Sequence, residues 1–278
     1  MSAGCAGCAE VGAQIAARRR PLRLLETHGC QGGAHAGYVR AGWDVTGVDI
    51  NHNHARYYPG KLIIADAATY IREHGHEYDA IHASPPCQWY TRGNAPRRGG
   101  ESKWERSIPP IREALEATGR PYVIENVKDA AWDMHDPVTL CGCMFDLSVR
   151  DYSCGAKKAD ERFRHAVAGA CDSINGKVVH LQRPRLFETN WVLTAPRACN
   201  HAAHEWVAGA YGGARRDKYE AKYVRKGGYV PRDKDVVKAL LGVEHDMTWN
   251  GLYECLPPAY TEWIGGQLRA HITQAMAA

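Results

Sequence analysis

Three short segments of this chain carry side chains suited to chemistry: Ala83-Ser84-Pro85-Pro86-Cys87-Gln88, Glu125-Asn126-Val127 and Arg183-Pro184-Arg185. A thiol is a soft nucleophile that ionises near neutral pH, more readily beside cations. Pro85 and Pro86 fix φ and restrict the residues before them, so Cys87 is aimed rather than floppy. Taken alone, Pro86-Cys87 also fits a proline-rich turn with an incidental cysteine, and Glu125 also fits a strand-end salt bridge. A fourth segment, Gly29-Cys30-Gln31-Gly32-Gly33, lets a ligand approach the backbone closely. Asp49 and Asp66 each close an apolar run, where a carboxylate can take ribose hydroxyls.

These residues need a scaffold that brings distant segments to one edge. Short apolar runs at 22–25, 42–50, 62–66, 78–83 and 121–127 read as strands. Between them, 34–41, 67–74 and 108–118 read as helices, the last with Ile111 and Leu115 on one buried face. Strand–helix alternation predicts an α/β fold with a doubly wound, mostly parallel sheet. Such sheets put ligands at the carboxyl ends of their strands, where Cys87 is delivered. Past Val127 the regularity fades until Val178-Val179, after which a strand is predicted around Arg183–Glu188. Pro257-Pro258 then opens a C-terminal helix.

At 278 residues, 45% hydrophobic and 24% charged, the chain can bury a full core as a globular protein. No apolar run approaches the roughly 20 residues that a membrane span needs, and the Ala/Gly-rich residues 1–20 lack the apolar core of a secretory signal. The ten cysteines are too sparse for a disulfide scaffold, so reduced thiols and a cytoplasmic setting are expected. The net charge of +4 is unevenly placed. Between Tyr211 and Lys238, nine cations face four acids, interleaved with Tyr211, Tyr219, Tyr223 and Tyr229 and with paired glycines. Cations and aromatics on a glycine-broken stretch suit phosphate contact and base stacking; a solvated charged face is the alternative.

The order of glycine loop, two strand-end acids, Pro86-Cys87-Gln88, Glu125-Asn126-Val127 and Arg183-x-Arg185 resembles the cytosine-C5 DNA methyltransferase family, particularly its compact phage-borne members. The resemblance runs from about Leu22 to the C-terminal helix, with a gap in the middle. It implies a Rossmann-like class I methyltransferase sheet with a small irregular target-recognition lobe. The implied division is a leader at 1–20, a catalytic domain at 21–190, a recognition region at 191–250 and a returning helix at 251–278. The implied reaction moves a methyl group from S-adenosylmethionine to C5 of a flipped cytosine through a covalent Cys–C6 adduct. Cys87 would be the nucleophile, Glu125 would bond cytosine N3 and N4, and Arg183 and Arg185 would brace the base and the acid. The cofactor would be held by His28, Gly29, Gln31, Gly32, Gly33, Asp49, Ile50, Asp66, Ala67, Pro85 and Gly266, with Asp49 on the ribose and Asp66 on the adenine amine. The partner would be double-stranded DNA, with residues 90–106 as a basic lid, and the enzyme would act as a monomer, in a host cytoplasm if viral.

Three departures stand out. In the first motif, His28 replaces a cofactor-facing phenylalanine and Cys30 the first glycine. Leu181 occupies the place of a glutamine, with Gln182 one position late. Gly266 replaces an asparagine in the C-terminal motif. A roomier pocket with a basic group would suit a carboxylated S-adenosylmethionine and carboxymethyl transfer; a catalytically inactive DNA-binding relative is a further alternative. No metal is assigned, with a structural zinc as the alternative. Cys199, His201 and His204 lie together, with Cys154 and Cys171 upstream, but their spacings match no common zinc module.

Overall fold

The computed structural model describes residues 20–91, 104–152, 176–208, 210, 231 and 233–277. Most of the expected leader and lid, Cys154, Cys171 and most of the basic Tyr/Gly stretch lie outside the described residues.

The central sheet has seven strands. They are β1 (Arg23–Thr27), β2 (Asp44–Asp49), β3 (Lys61–Ile64), β4 (Ala80–Ala83), β5 (Tyr122–Val127), β6 (Val138–Leu140) and β9 (Arg185–Thr189). Their spatial order is β3-β2-β1-β4-β5-β9-β6, with β3 through β5 parallel and β9 antiparallel to both neighbours. Successive side chains of a strand point to opposite faces. Leu24 therefore enters one core cluster and Leu25 the other. The first cluster packs under α1 (Gly33–Arg40) and α6 (Pro258–Ala277), through Tyr38, Tyr260, Ile264 and Leu268. The second packs under α2 (Ala67–His74) and α3 (Ile108–Ala117), through Ile71, Ile111 and Leu115. With both faces covered, β4 is buried at all four positions, its one polar residue His82 included.

A second sheet of three strands, in the order β10-β8-β7, joins β7 (Ser148–Asp151), β8 (Lys177–Leu181) and β10 (Val207–Ala208). Val179, Leu181 and Ala208 pack on α4 (Lys234–Leu241) and α5 (Trp249–Glu254) in a separate cluster. This unit draws β7 and β8 from before residue 190 and β10 from after it. No helix among the described residues is long and apolar enough to cross a membrane.

The chain runs outward from β1 to β2 and β3, then returns to the other side of β1 as β4. That reversal opens a crevice at the carboxyl ends of β1 and β4. Thr27 and Ala83 are register partners, and the Ser84 amide donates to the Thr27 carbonyl at 3.2 Å. The glycine loop and the cysteine loop therefore start side by side. Ala83 in turn pairs with Ile124, which sets Glu125 level with Ser84.

Candidate active site

The cysteine loop is held from several sides. Asn126 donates its side-chain amide to the Pro85 carbonyl at 3.0 Å, and Ser107 donates to the Pro86 carbonyl at 2.8 Å. The Cys87 carbonyl accepts from the amides of Tyr90 and Thr91, each at 3.0 Å. Tyr90 donates to Asp133 at 2.7 Å, and Arg106 binds the same carboxylate. The Cys87 thiol is half-buried, and burial, then the neighbouring Glu125 charge, push its pKa up; Arg185 pulls it down. A free-standing thiolate is therefore not the resting form.

Glu125 is buried, and burial raises its pKa, opposed by the Arg185 charge and by a hydrogen bond from Ser84. The Arg185 Nε lies 3.1 Å from Glu125 Oε1. This contact is diagonal across the β5–β9 ladder, where Arg185 pairs with Val127 and Glu125 with Phe187. Arg183 acts on the acid through its charge, which favours the carboxylate, while its guanidinium hydrogen-bonds elsewhere. Its fully buried guanidinium donates to the carbonyls of Ala210 and Tyr253, the latter at 2.6 Å, and the Tyr260 hydroxyl donates to the Arg183 carbonyl at 2.8 Å. Arg183 is a staple between the β8–β9 turn and α5. Arg183→Ala would leave buried carbonyls unpaired at about 1–3 kcal/mol each. A denaturant titration should show a loss of stability larger than that of Arg185→Ala.

Behind Glu125 lies a buried polar chain that the sequence reading missed. Tyr38 Oη is 2.9 Å from His82 Nδ1, His82 Nε2 is 2.9 Å from Ser84 Oγ, and Ser84 reaches Glu125. Burial lowers the His82 pKa to about 3, so its ring is neutral and carries one proton. Because Ser84 donates to the carboxylate, it must accept from His82 Nε2–H, which leaves Nδ1 to accept from Tyr38. Every donor then points toward Glu125. Tyr38 and His82 are fully buried, so the chain orients the acid and does not connect it to solvent.

On the other side of the crevice, the glycine loop is strained. His28 and Cys30 both take left-handed backbone (φ 58° and 46°), which costs a non-glycine residue roughly 1–2 kcal/mol. The Cys30 amide offsets this by donating to Asp49 Oδ2 at 2.9 Å, while Asp49 Oδ1 accepts from the Asn51 amide at 2.8 Å. Cys30 thus keeps the backbone geometry that a glycine would adopt freely. Gly33 is required by packing: a Cβ there would lie 2.5 Å from Cys255 Sγ and 2.6 Å from the Leu256 carbonyl. Gly29 and Gly32 complete the loop against Tyr58 and Pro59. The His28 pKa is lowered to about 4 by burial, and its Nδ1 is buried without a partner. Ile50, 73% exposed, stands at the end of β2. Asp66 caps α2 by accepting from Thr69 N at 2.9 Å, with Ala67 buried behind it.

Of the expected cofactor residues, Gln31 stays in the glycine loop with its side chain engaged by α5, and Gly266 stands on α6. Gln31 gives its amide to the N-cap of α5: its Oε1 accepts from Thr248 N at 2.8 Å and its Nε2 donates to Thr248 Oγ1 at 2.9 Å. Gly266 is exposed on α6, beside Gly265, which packs on Ala41, Tyr38 and Trp43 at the far end of α1. The C-terminal region meets the glycine loop through His245, Thr248 and Gly251 at Gln31 and through Cys255-Leu256 at Gly33, the latter between α5 and α6. The register of the two prolines was visible in the sequence; which neighbours it brought to the loop was not.

Glu26, also missed, lies beneath the loop. Tyr58 donates to its Oε2 at 2.5 Å, and burial raises its pKa to about 8. An acid whose folded pKa exceeds its unfolded value costs stability as pH rises between the two. Wild-type stability, measured relative to Glu26→Gln, should therefore fall from about pH 4.5 to about pH 8 and level off above, with equilibrium unfolding at a series of pH values as the measurement.

No protein-family model matches the chain, and no curated protein matches it. Solved structures do. The S. pombe Dnmt2 methyltransferase aligns over 92% of this chain and 99% of its own, at 11% identity and a TM-score of 0.50. Spodoptera frugiperda DNMT2, in a mutant form, aligns over 91% and 99% at 12% identity, with a TM-score of 0.46. A protein described as a DNA modification methyltransferase encoded within an E. coli prophage aligns over 91% and 99% at 13% identity, with a TM-score of 0.47. The chain has a class I methyltransferase fold. At these identities the likeness extends to the fold alone.

Proposed function

We propose that this protein is a DNA cytosine-5 methyltransferase, with S-adenosylmethionine as methyl donor and Cys87 as a nucleophile toward C6 of a flipped cytosine. One observation carries the reading: the Cys87 thiol and the Glu125–Arg185 pair meet at the carboxyl edge of the sheet, next to the glycine loop. The donor set suits the cofactor. Asp49 and Asp66 end adjacent strands with exposed Ile50 near them, and a carboxylate that already accepts two amides has lone pairs left for a ribose diol. The buried, unpartnered Nδ1 of His28 supplies one further polar atom. When bound, the cofactor supplies an electrophilic methyl group.

The chain's own residues do the rest. Cys87 gives up its proton to solvent and adds to C6 as the thiolate, and the displaced C5–C6 π pair makes C5 the nucleophile; loss of the C5 proton to water afterwards re-forms the double bond and expels the thiolate. Glu125, buried and with a raised pKa, can hold a proton at cytosine N3, which makes C6 easier to attack. Arg185 keeps the acid in place and favours the thiolate. A carboxylated donor finds no support in this geometry: His28 is neutral, Gly266 lies away from the loop, and the groups around the loop are the acids Glu26, Asp49 and Glu254. The test is incubation with the cofactor and DNA bearing 5-fluorocytosine, which traps an active thiolate as a covalent complex, with mass spectrometry of nucleosides from ordinary DNA in parallel. A complex through Cys87 and 5-methylcytosine are expected. Modification of RNA but not DNA, or a modified base other than cytosine, would overturn the reading.

A further inference from the structure

Away from the crevice, four metal-type side chains converge from two chain segments. Cys141 directly follows β6, and Cys143 lies in the turn Gly142–Phe145. Cys199 and His201 come from the stretch that leads to β10. Cys143 Sγ is 3.0 Å from Cys199 Sγ, Cys141 Sγ is 3.2 Å from His201 Nε2, and all four donor atoms lie within 4.8 Å of one another. All three cysteines are free thiols. A tetrahedral zinc ion, with bonds of about 2.3 Å to sulfur and about 2.0 Å to nitrogen, sets its ligand atoms roughly 3.5–3.8 Å apart, within the spread seen here.

We propose that Cys141, Cys143, Cys199 and His201 form a structural zinc site. The donor set is three thiolates and one imidazole, which selects zinc over hard cations and leaves no open coordination position for catalysis. The surroundings fit the excess negative charge of such a centre. The backbone amides of Cys143 and Arg183 reach the Cys141 sulfur. Arg197 donates to the Cys143 carbonyl at 3.0 Å, and Lys128 acts electrostatically on His201. Cys141 and Cys143 are buried while Cys199 and His201 are exposed, so an ion has a path from solvent.

The position gives the ion a purpose. Leu140 pairs with Arg185 in the β6–β9 ladder, and the Arg183 amide touches the first ligand. An ion here would clamp the stretch before β10 against the strand turn that presents both arginines. The single-residue spacings Cys-x-Cys and Cys-x-His lie 56 positions or more apart, which is why no familiar zinc pattern shows in the sequence.

The test does not depend on the proposed activity. Protein expressed with ample zinc should carry it in equimolar amount by elemental analysis. Replacement by cobalt should give the intense thiolate-to-metal absorption and the visible bands of a tetrahedral site. Cys199→Ser and His201→Asn should lower the bound metal, while Cys154→Ser and Cys171→Ser should keep it. If the ligand variants do not fold, the wild type refolded with and without zinc decides: refolding should require the metal or be stabilised by it. Zinc-free protein with all four groups free, a Cys143–Cys199 disulfide found by peptide mapping, or zinc lost with Cys154 or Cys171 instead would overturn the assignment.

Discussion

Cys87→Ala should abolish methyl transfer while leaving the protein folded and able to bind DNA. The expected loss is on the order of 10⁶-fold, the scale seen when a covalent nucleophile is removed from an assembled site. The loop explains why folding survives. Its hold comes from Asn126 on the Pro85 carbonyl, Ser107 on the Pro86 carbonyl and Tyr90 on Asp133, none of which uses the Cys87 thiol. Removing one sulfur from a half-buried position should cost no more than about 1 kcal/mol. Transfer from labelled cofactor and retention of a DNA duplex, measured side by side, check both halves. Turnover that persists in the variant would remove Cys87 from the mechanism, and loss of DNA binding together with turnover would make its role structural.

Much of this site was legible because it rests on local rules. Prolines before Cys87, acids after apolar runs and strand–helix alternation are properties of a few neighbouring residues, and the structure has those elements within a residue or two of the expected bounds. What escaped depends on partners far away in sequence. His82 reads as one polar residue in a strand; its meaning comes from Tyr38 on α1 and Ser84 on the next loop. Arg183 and Arg185 look equivalent two positions apart, yet one meets Glu125 and the other the carbonyls of Ala210 and Tyr253. β6 and β7 escaped because strands of three and four residues, largely half-exposed, carry almost no periodic signal. Gly266 matches a motif position only by its distance along the chain, whereas α6 carries it to the opposite end of α1.

Glu125→Gln separates the acid's chemical role from its place in the fold. The amide keeps the size of the side chain and one acceptor, so β5 should remain intact, but it holds no exchangeable carboxyl proton. Turnover should fall by about 10²- to 10⁴-fold, the range for losing a positioned acid–base group. The thiol should respond in the opposite sense. The Glu125 charge is the second-largest cause raising the Cys87 pKa, so its removal should move alkylation of Cys87 to lower pH. A protein merely loosened by the change would not show a shifted midpoint together with an unchanged unfolding transition. Ser84→Ala provides the control. It removes a donor that stabilises the carboxylate, so Glu125 should titrate at still higher pH, and it leaves the His82 Nε2–H without its acceptor at about 1–3 kcal/mol. Its turnover should fall less than that of Glu125→Gln, with the pH profile displaced rather than abolished. An unshifted profile in Ser84→Ala would mean that the Tyr38–His82–Ser84 chain holds the strand ends together and does not tune the acid.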